Sequence, residues 1–160
     1  MVTVSEALMP APRFGRTELG IAYKDRPAAF GIAERSGRIA LVRVTKPGHA
    51  PWLDLPGGAI DEGESEAKAL AREFGEETGL AVRVGAPITR ADQFFINTDG
   101  QAFNNKAGFF EVAVEREAAK LKIEDDHELV WLEPLEALKR LRHEAHAWAV
   151  IAWLRASARR

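Results

Sequence analysis

Three glutamates, Glu73, Glu76 and Glu77, lie three and four residues apart within the stretch GGAIDEGESEAKALAREFGEETGL, Gly57 to Leu80. In a helix that spacing gathers them on one face, where like charges repel. A hard divalent cation offsets such repulsion, because Mg²⁺ is typically held by a few carboxylates, several waters and the phosphates of a substrate. The three glutamates therefore suit metal-assisted phosphate chemistry. Taken alone, they are equally compatible with a solvated acidic helix face.

The element that must carry them is a helix beginning near Ser65, which can cap it, with Glu66 and Lys68 in its first turn. Gly79 stands where a left-handed residue closes a helix. Ala67, Leu70, Ala71 and Phe74 recur at helical spacing and form the expected apolar face, separate from the carboxylates. Gly75 in the interior costs roughly 1 kcal/mol relative to Ala.

The wider pattern resembles the Nudix box: Gly58, five residues, Glu64, seven residues, then Arg72-Glu73-Phe74-Gly75-Glu76-Glu77-Thr78-Gly79-Leu80. Every fixed Gly, Glu and Arg of that motif is present at its spacing, and Phe74 departs from the family's usual aliphatic residue. The resemblance implies an α/β fold, a Nudix-type α/β/α sandwich with a mixed β-sheet, covering about residues 28–156. It also implies hydrolysis of a diphosphate linked to another moiety, with Mg²⁺ as cofactor and Mn²⁺ able to substitute. Metal ligands are then expected from Glu73, Glu76, Glu77 and the backbone carbonyl of Gly57, which follows the approach Pro56-Gly57-Gly58.

Arg72 cannot bind a cation and is expected to hold the carboxylates in place through Glu64 or Glu76. The general base is either Glu73 or a carboxylate on the later acidic stretch Glu124-Asp125-Asp126-His127-Glu128, with Glu128 preferred over Asp126 and Glu124. The competing reading of that stretch is a solvated turn. For the substrate, Phe95, Trp52, Arg43 and Lys106 are the candidates, with Phe94 and Phe103 also near. Alternation allows only one of Phe94 and Phe95 to face a given side. Each of these also has an ordinary role in the core or on the surface.

Short apolar strands are expected at 28–33 and 39–44, joined by the turn Arg35-Ser36-Gly37, and at 81–84, 91–96, 107–114 and 129–132. Asn97-Thr98-Asp99-Gly100 suits a hairpin turn. Helix follows from Pro134 and continues through 143–155. His143 and His146 are three apart, so they miss the i, i+4 spacing of a zinc helix and are expected at the surface. Trp148 and Trp153 are five apart, so at most one offers a contact for a possible homodimer. Residues 1–12 are expected to form a loose arm, and residues 13–160 a single domain.

A formal net charge of −2 gives no reason to expect DNA or an anionic membrane as partner. No run is long enough to span a bilayer, the N-terminus does not read as a secretory signal, and the chain has no cysteine, so a cytoplasmic location is expected. Among family subclasses, dinucleoside-polyphosphate hydrolases carry a Tyr and ADP-ribose hydrolases a Pro about sixteen residues after the box. This chain has Phe95, Ile96, Asn97 and Thr98 there. The absence of cysteine removes zinc-binding NADH-type and isomerase-type relatives, and the arginine-rich stretch of coenzyme A relatives is missing. What remains is a small-molecule diphosphate, either a nucleoside di- or triphosphate or a related derivative. The alternatives are a non-nucleotide or nucleotide-sugar diphosphate, and a non-catalytic nucleotide sensor.

Overall fold

The computed structural model describes residues 10–160. Most of the expected N-terminal arm thus lies outside the described residues. At its last residue the Pro12 carbonyl accepts from the Asp92 amide at 2.8 Å, and Arg13–Phe14, where the expected domain begins, forms a two-residue strand, β1.

The elements continue as β2 (Lys24–Ile32), β3 (Glu34–Arg35), β4 (Arg38–Val44), β5 (Trp52–Asp54), β6 (Gly57–Ala59), α1 (Glu66–Thr78), β7 (Leu80–Ile96), β8 (Ala102–Glu117), β9 (His127–Leu132), α2 (Pro134–Arg140) and α3 (Glu144–Ala158). One mixed sheet runs β1-β7-β8-β2-β6, with β2 parallel to β8 over nine residues and antiparallel to β6. In a second, antiparallel sheet, β9 runs along β4, which also pairs with β3 and β5.

The segments expected as two strands, 81–84 and 91–96, are one strand, β7, continuous through Pro87. Pro87 has no N–H to donate, and the ladder absorbs it through register shifts between Val84 and Pro87 and between Pro87 and Thr89. The β3–β4 turn is as expected, with Ser36 and Gly37 both at positive φ. Helix after Pro134 is interrupted at 141–143, giving α2 and α3 instead of one continuous helix.

Helices cover both faces. Leu70 and Phe74 of α1, both fully buried, pack with Ala29, Ala40 and Val112 on one side. Each contributes roughly 1.5–3 kcal/mol through burial of its side chain. The α1 core face is Ala69, Leu70 and Phe74, while Ala67 is exposed, so the expected stripe is rotated toward position 69. On the other side, α2 and α3 bring Ala137, Ala149, Val150 and Trp153 against Phe30, Ile32, Ile39 and Leu41. Trp153 therefore belongs to the core, whereas Trp148 is partly exposed. No helix among the described residues is long and apolar enough to cross a membrane.

Candidate active site

The site forms where the C-terminal half of α1 meets β6. Ser65 caps α1 by accepting from the Lys68 amide at 3.1 Å, and Gly79 closes it with φ 75°. Gly57 adopts φ 140°, and a Cβ there would lie 2.2 Å from the Ala29 carbonyl, so glycine alone allows β6 to seat against β2. Gly58 sits directly under Glu73, whose carboxylate would lie 3.0 Å from an added Cβ.

Arg72 organises the acidic cluster. It donates through Nε and Nη2 to both oxygens of Glu64, at 2.9 and 2.8 Å, and through Nη1 to Glu73 at 2.9 Å and Glu76 at 3.3 Å. The two partners proposed as alternatives are thus both engaged, and Glu64 takes the bidentate bond. The Glu64 carboxyl is held down to about 2 by this bond and by the Asp61 amide. Glu73 moves the other way, raised by burial despite Arg72, with the charges of Glu76 and Glu124 adding to the rise.

Glu77 is 4% exposed. It accepts from the Gly57 amide at 2.9 Å and contacts His127 Nε2 at 3.1 Å. Burial pushes its carboxyl up to about 7, against the opposing pull of His127 and Gly57. His127 Nδ1 meets Asp126 at 2.7 Å, and Asp126 is also paired with Lys46. Burial disfavours a charged His127, yet Glu77 and Asp126 outweigh it and raise the imidazole to about 9. The Lys46 bond leads in holding Asp126 down to about 2, against the effect of burial.

The acidic stretch after β8 is stapled onto α1. The amides of Ile123 and Glu124 both donate to the Glu76 carbonyl, at 3.0 and 3.1 Å. Leu121 lies across Gly75, where an added Cβ would sit 3.1 Å from it, so the interior glycine makes room for this crossing. Glu124, Asp126 and His127 each present a ligand atom within 4.8 Å of one another.

Glu128, preferred from the sequence, points away. Along β9, His127, Leu129 and Trp131 face α1, so Glu128 faces the opposite side and pairs with Arg43, its cross-strand partner, at 3.5 Å. Arg43 is consequently displaced from the cleft as well. Lys106 lies on the far face of β8, paired with Asp92 at 2.8 Å. The alternation that put Leu129 and Trp131 inward was the available signal for His127.

A cleft of about 240 Å³ opens from Gly57, Gly58 and Glu77 toward Trp52, Phe95, Asn97 and Asn105. Phe95 lines it, and Phe94 faces the other side against Tyr23. Arg142 lies over Trp52 at 4.3 Å and pairs with Asp54 at 2.8 Å. Arg26 lies over Phe103 at 4.6 Å. The expectation that His143 and His146 lie at the surface is overturned, since they are 6% and 2% exposed. His146 Nδ1 accepts from the Leu55 amide at 3.1 Å, which is the reason it is inside. Burial, followed by neighbouring positive charge, holds both imidazoles down to about 3, so both are neutral at neutral pH.

The NUDIX domain family matches residues 23–154, and the chain belongs to that family. It is 30% identical over 105 residues to a putative mutator protein MutT4 of Mycobacterium tuberculosis, a match covering 62% of this chain and 42% of that one. It is 43% identical over 56 residues to an RNA pyrophosphohydrolase of Sphingopyxis alaskensis, covering 34% and 35% respectively. These matches span less than half the length of either relative. A solved NUDIX hydrolase from Nitrosomonas europaea superposes with TM-score 0.71 at 19% identity, over 83% of this chain and 90% of that one, a likeness in fold.

The donor set fits a hard divalent cation. A single guanidinium nitrogen of Arg72 lies between the carboxylates of Glu73 and Glu76, so positive charge already occupies the space those groups share. The carboxylates of α1 offer oxygen donors only, the type that hard divalent cations take, while the neighbouring group of Glu124, Asp126 and His127 adds an imidazole nitrogen.

Proposed function

We propose that this chain is a divalent-metal-dependent pyrophosphohydrolase acting on the diphosphate of a nucleoside di- or triphosphate or a related nucleotide derivative. The observation that carries the reading is the junction of the carboxylate cluster with an aromatic cleft: Glu77, Gly57 and Gly58 line the same opening as Trp52 and Phe95. One end has the donors for metal and phosphates, and the other has faces on which a base can stack.

Glu73, Glu76, Glu77 and the Gly57 carbonyl would hold the metal in this reading, and Glu124, whose charge acts on Glu73, is a further candidate. A cation held there would supply charge neutralisation for the substrate's phosphates and would make a nearby water more acidic. Glu73 is the base we favour, since burial raises its proton affinity and places it nearer the range where a carboxylate accepts a proton from water. Arg72 bridges Glu73 and Glu76 through one nitrogen and fixes their positions, and the buried Glu77 keeps its orientation through Gly57 and His127. Trp52 and Phe95 bind the organic portion of the substrate. Arg43, Lys106 and Glu128 have no place in this assignment.

The test is phosphate and pyrophosphate release from a broad panel of diphosphates with Mg²⁺ or Mn²⁺, with Glu77→Gln alongside. Turnover of one nucleotide class that is lost in the variant supports the reading. Binding of a nucleotide without turnover of any compound would replace it with the sensor reading.

A further inference from the structure

Arg26 is the charged group in the cleft with no role so far. It sits on β2, on the same face as Phe30, and lines the cleft. Phe30 pairs with Gly57, so Arg26, four residues earlier, lies ~13 Å along the strand from the carboxylate end. Its Nε donates to Asn105 Oδ1 at 2.8 Å, and its plane is held over Phe103 at 4.6 Å and Phe95 at 5.4 Å. The two terminal nitrogens take no hydrogen bond to any described residue, and no carboxylate among the described residues pairs with the group. Its neighbour Arg142, in contrast, is neutralised by Asp54.

A half-buried guanidinium without an anion is unusual, because removing a charge from water requires compensation. Burial accordingly lowers the pKa of Arg26, the charge of Glu73 opposing it, Arg142 reinforcing it and Asp99 opposing it in turn. Aromatic contact offsets part of the penalty. What remains is a rigid fork of donors with no acceptor, at the end of the cleft away from the metal ligands. Such a fork accepts two coplanar or paired acceptor atoms and rejects a donor placed opposite it.

We propose that Arg26 is a specificity-determining residue that binds a bidentate hydrogen-bond acceptor carried by the substrate on the part remote from the hydrolysed diphosphate. This rests on the nucleotide-hydrolase reading above. Two sources carry that chemistry: the carbonyl oxygen and ring nitrogen of a 6-oxopurine, and a second phosphate on the sugar. Adenine presents an amino donor at the equivalent edge and is disfavoured.

Binding of nucleoside monophosphates separates this proposal from catalysis. Calorimetry with GMP, IMP, AMP and adenosine 3′,5′-bisphosphate is run on the whole chain, with Arg26→Gln and Arg26→Lys beside the wild type. The wild type is expected to prefer GMP and IMP over AMP by about tenfold or more, the discrimination of one bidentate pair, and Arg26→Gln to abolish the preference. Arg26→Lys keeps the charge but not the fork and recovers little of it. If the bisphosphate is preferred instead and loses its advantage in Arg26→Gln, the acceptor is the second phosphate. If the variants bind all four compounds as the wild type does, the proposal is overturned. A chain that hydrolyses nothing but keeps Arg26-dependent preference refutes the hydrolase reading alone.

Discussion

Glu77→Gln offers a thermodynamic test that needs no substrate. A carboxyl raised from its ordinary 4.5 to about 7 by burial carries about 3 kcal/mol of preference for its protonated form in the folded state. Because the folded pKa lies above the unfolded one, the native state binds this proton more tightly. The associated stability is full below pH 4.5 and is lost as pH rises through 7. Gln in the same place keeps an oxygen for the Gly57 amide and an amide group toward His127, but has no proton to lose. Asp126 and Glu64, held down to about 2, and His143 and His146, held down to about 3, run in the opposite sense. The informative quantity is therefore the difference between the two proteins. His127, raised to about 9 in part by Glu77 itself, begins to lose its contribution above 6.5 and adds roughly 1 kcal/mol to the wild type's loss by pH 7, in the same direction as Glu77. Urea unfolding in EDTA at pH 4.5 and pH 7 is expected to show the wild type losing about 2–3 kcal/mol more than Glu77→Gln over that interval. Added Mn²⁺ should restore stability to the wild type at pH 7 and not to the variant. Parallel pH profiles for the two proteins would refute the claim that Glu77 is a desolvated carboxylate waiting for a cation.

Arg72→Ala leaves Glu64, Glu73 and Glu76 facing one another; in the same urea assay it is expected to lose about 2–3 kcal/mol, with Arg72→Lys recovering part. Glu124→Gln should lower turnover on the best substrate by roughly 10–100-fold, whereas Glu128→Gln, on the other side of β9, stays within about twofold. Gly75→Ala should forfeit the roughly 1 kcal/mol of helix propensity it gains, because its methyl meets Leu121; adding Leu121→Ala should recover that gain, as read by thermal unfolding. His146→Ala leaves the Leu55 amide unpaired and a void beside Phe30, for an expected loss of about 2–4 kcal/mol in chemical denaturation.

The site was legible where local chemistry determines local structure. Ser65, Gly79 and the carboxylate spacing belong to one helix, so caps and face could be read directly from the chain. Arg72 was also within reach, since Glu76 lies one turn away. Residues that depend on distant pairing were not legible. Glu128 and His127 are adjacent, and only the register of β9 against β4 decides which of them faces α1. Arg26 meets Asn105, 79 positions away, and no periodicity announces that contact. The buried histidines escaped because imidazole is polar by composition, and only the orphaned Leu55 amide explains one of them inside.

The parallel ladder between β2 and β8 has a consequence for how the chain is made. Its nine pairs join residues 24–32 to residues 103–111, so β2, which lies between β8 and the edge strand β6, has no partner on the β8 side until residue 103 has been made. During synthesis the acidic helix emerges before the strand that closes the cleft beside it, and β2 must wait with one edge open. Long-range parallel pairing of this kind is slow and leaves an exposed edge while it waits. The β7–β8 hairpin, turning within residues 97–101, is the local unit available to deliver β8 to that edge.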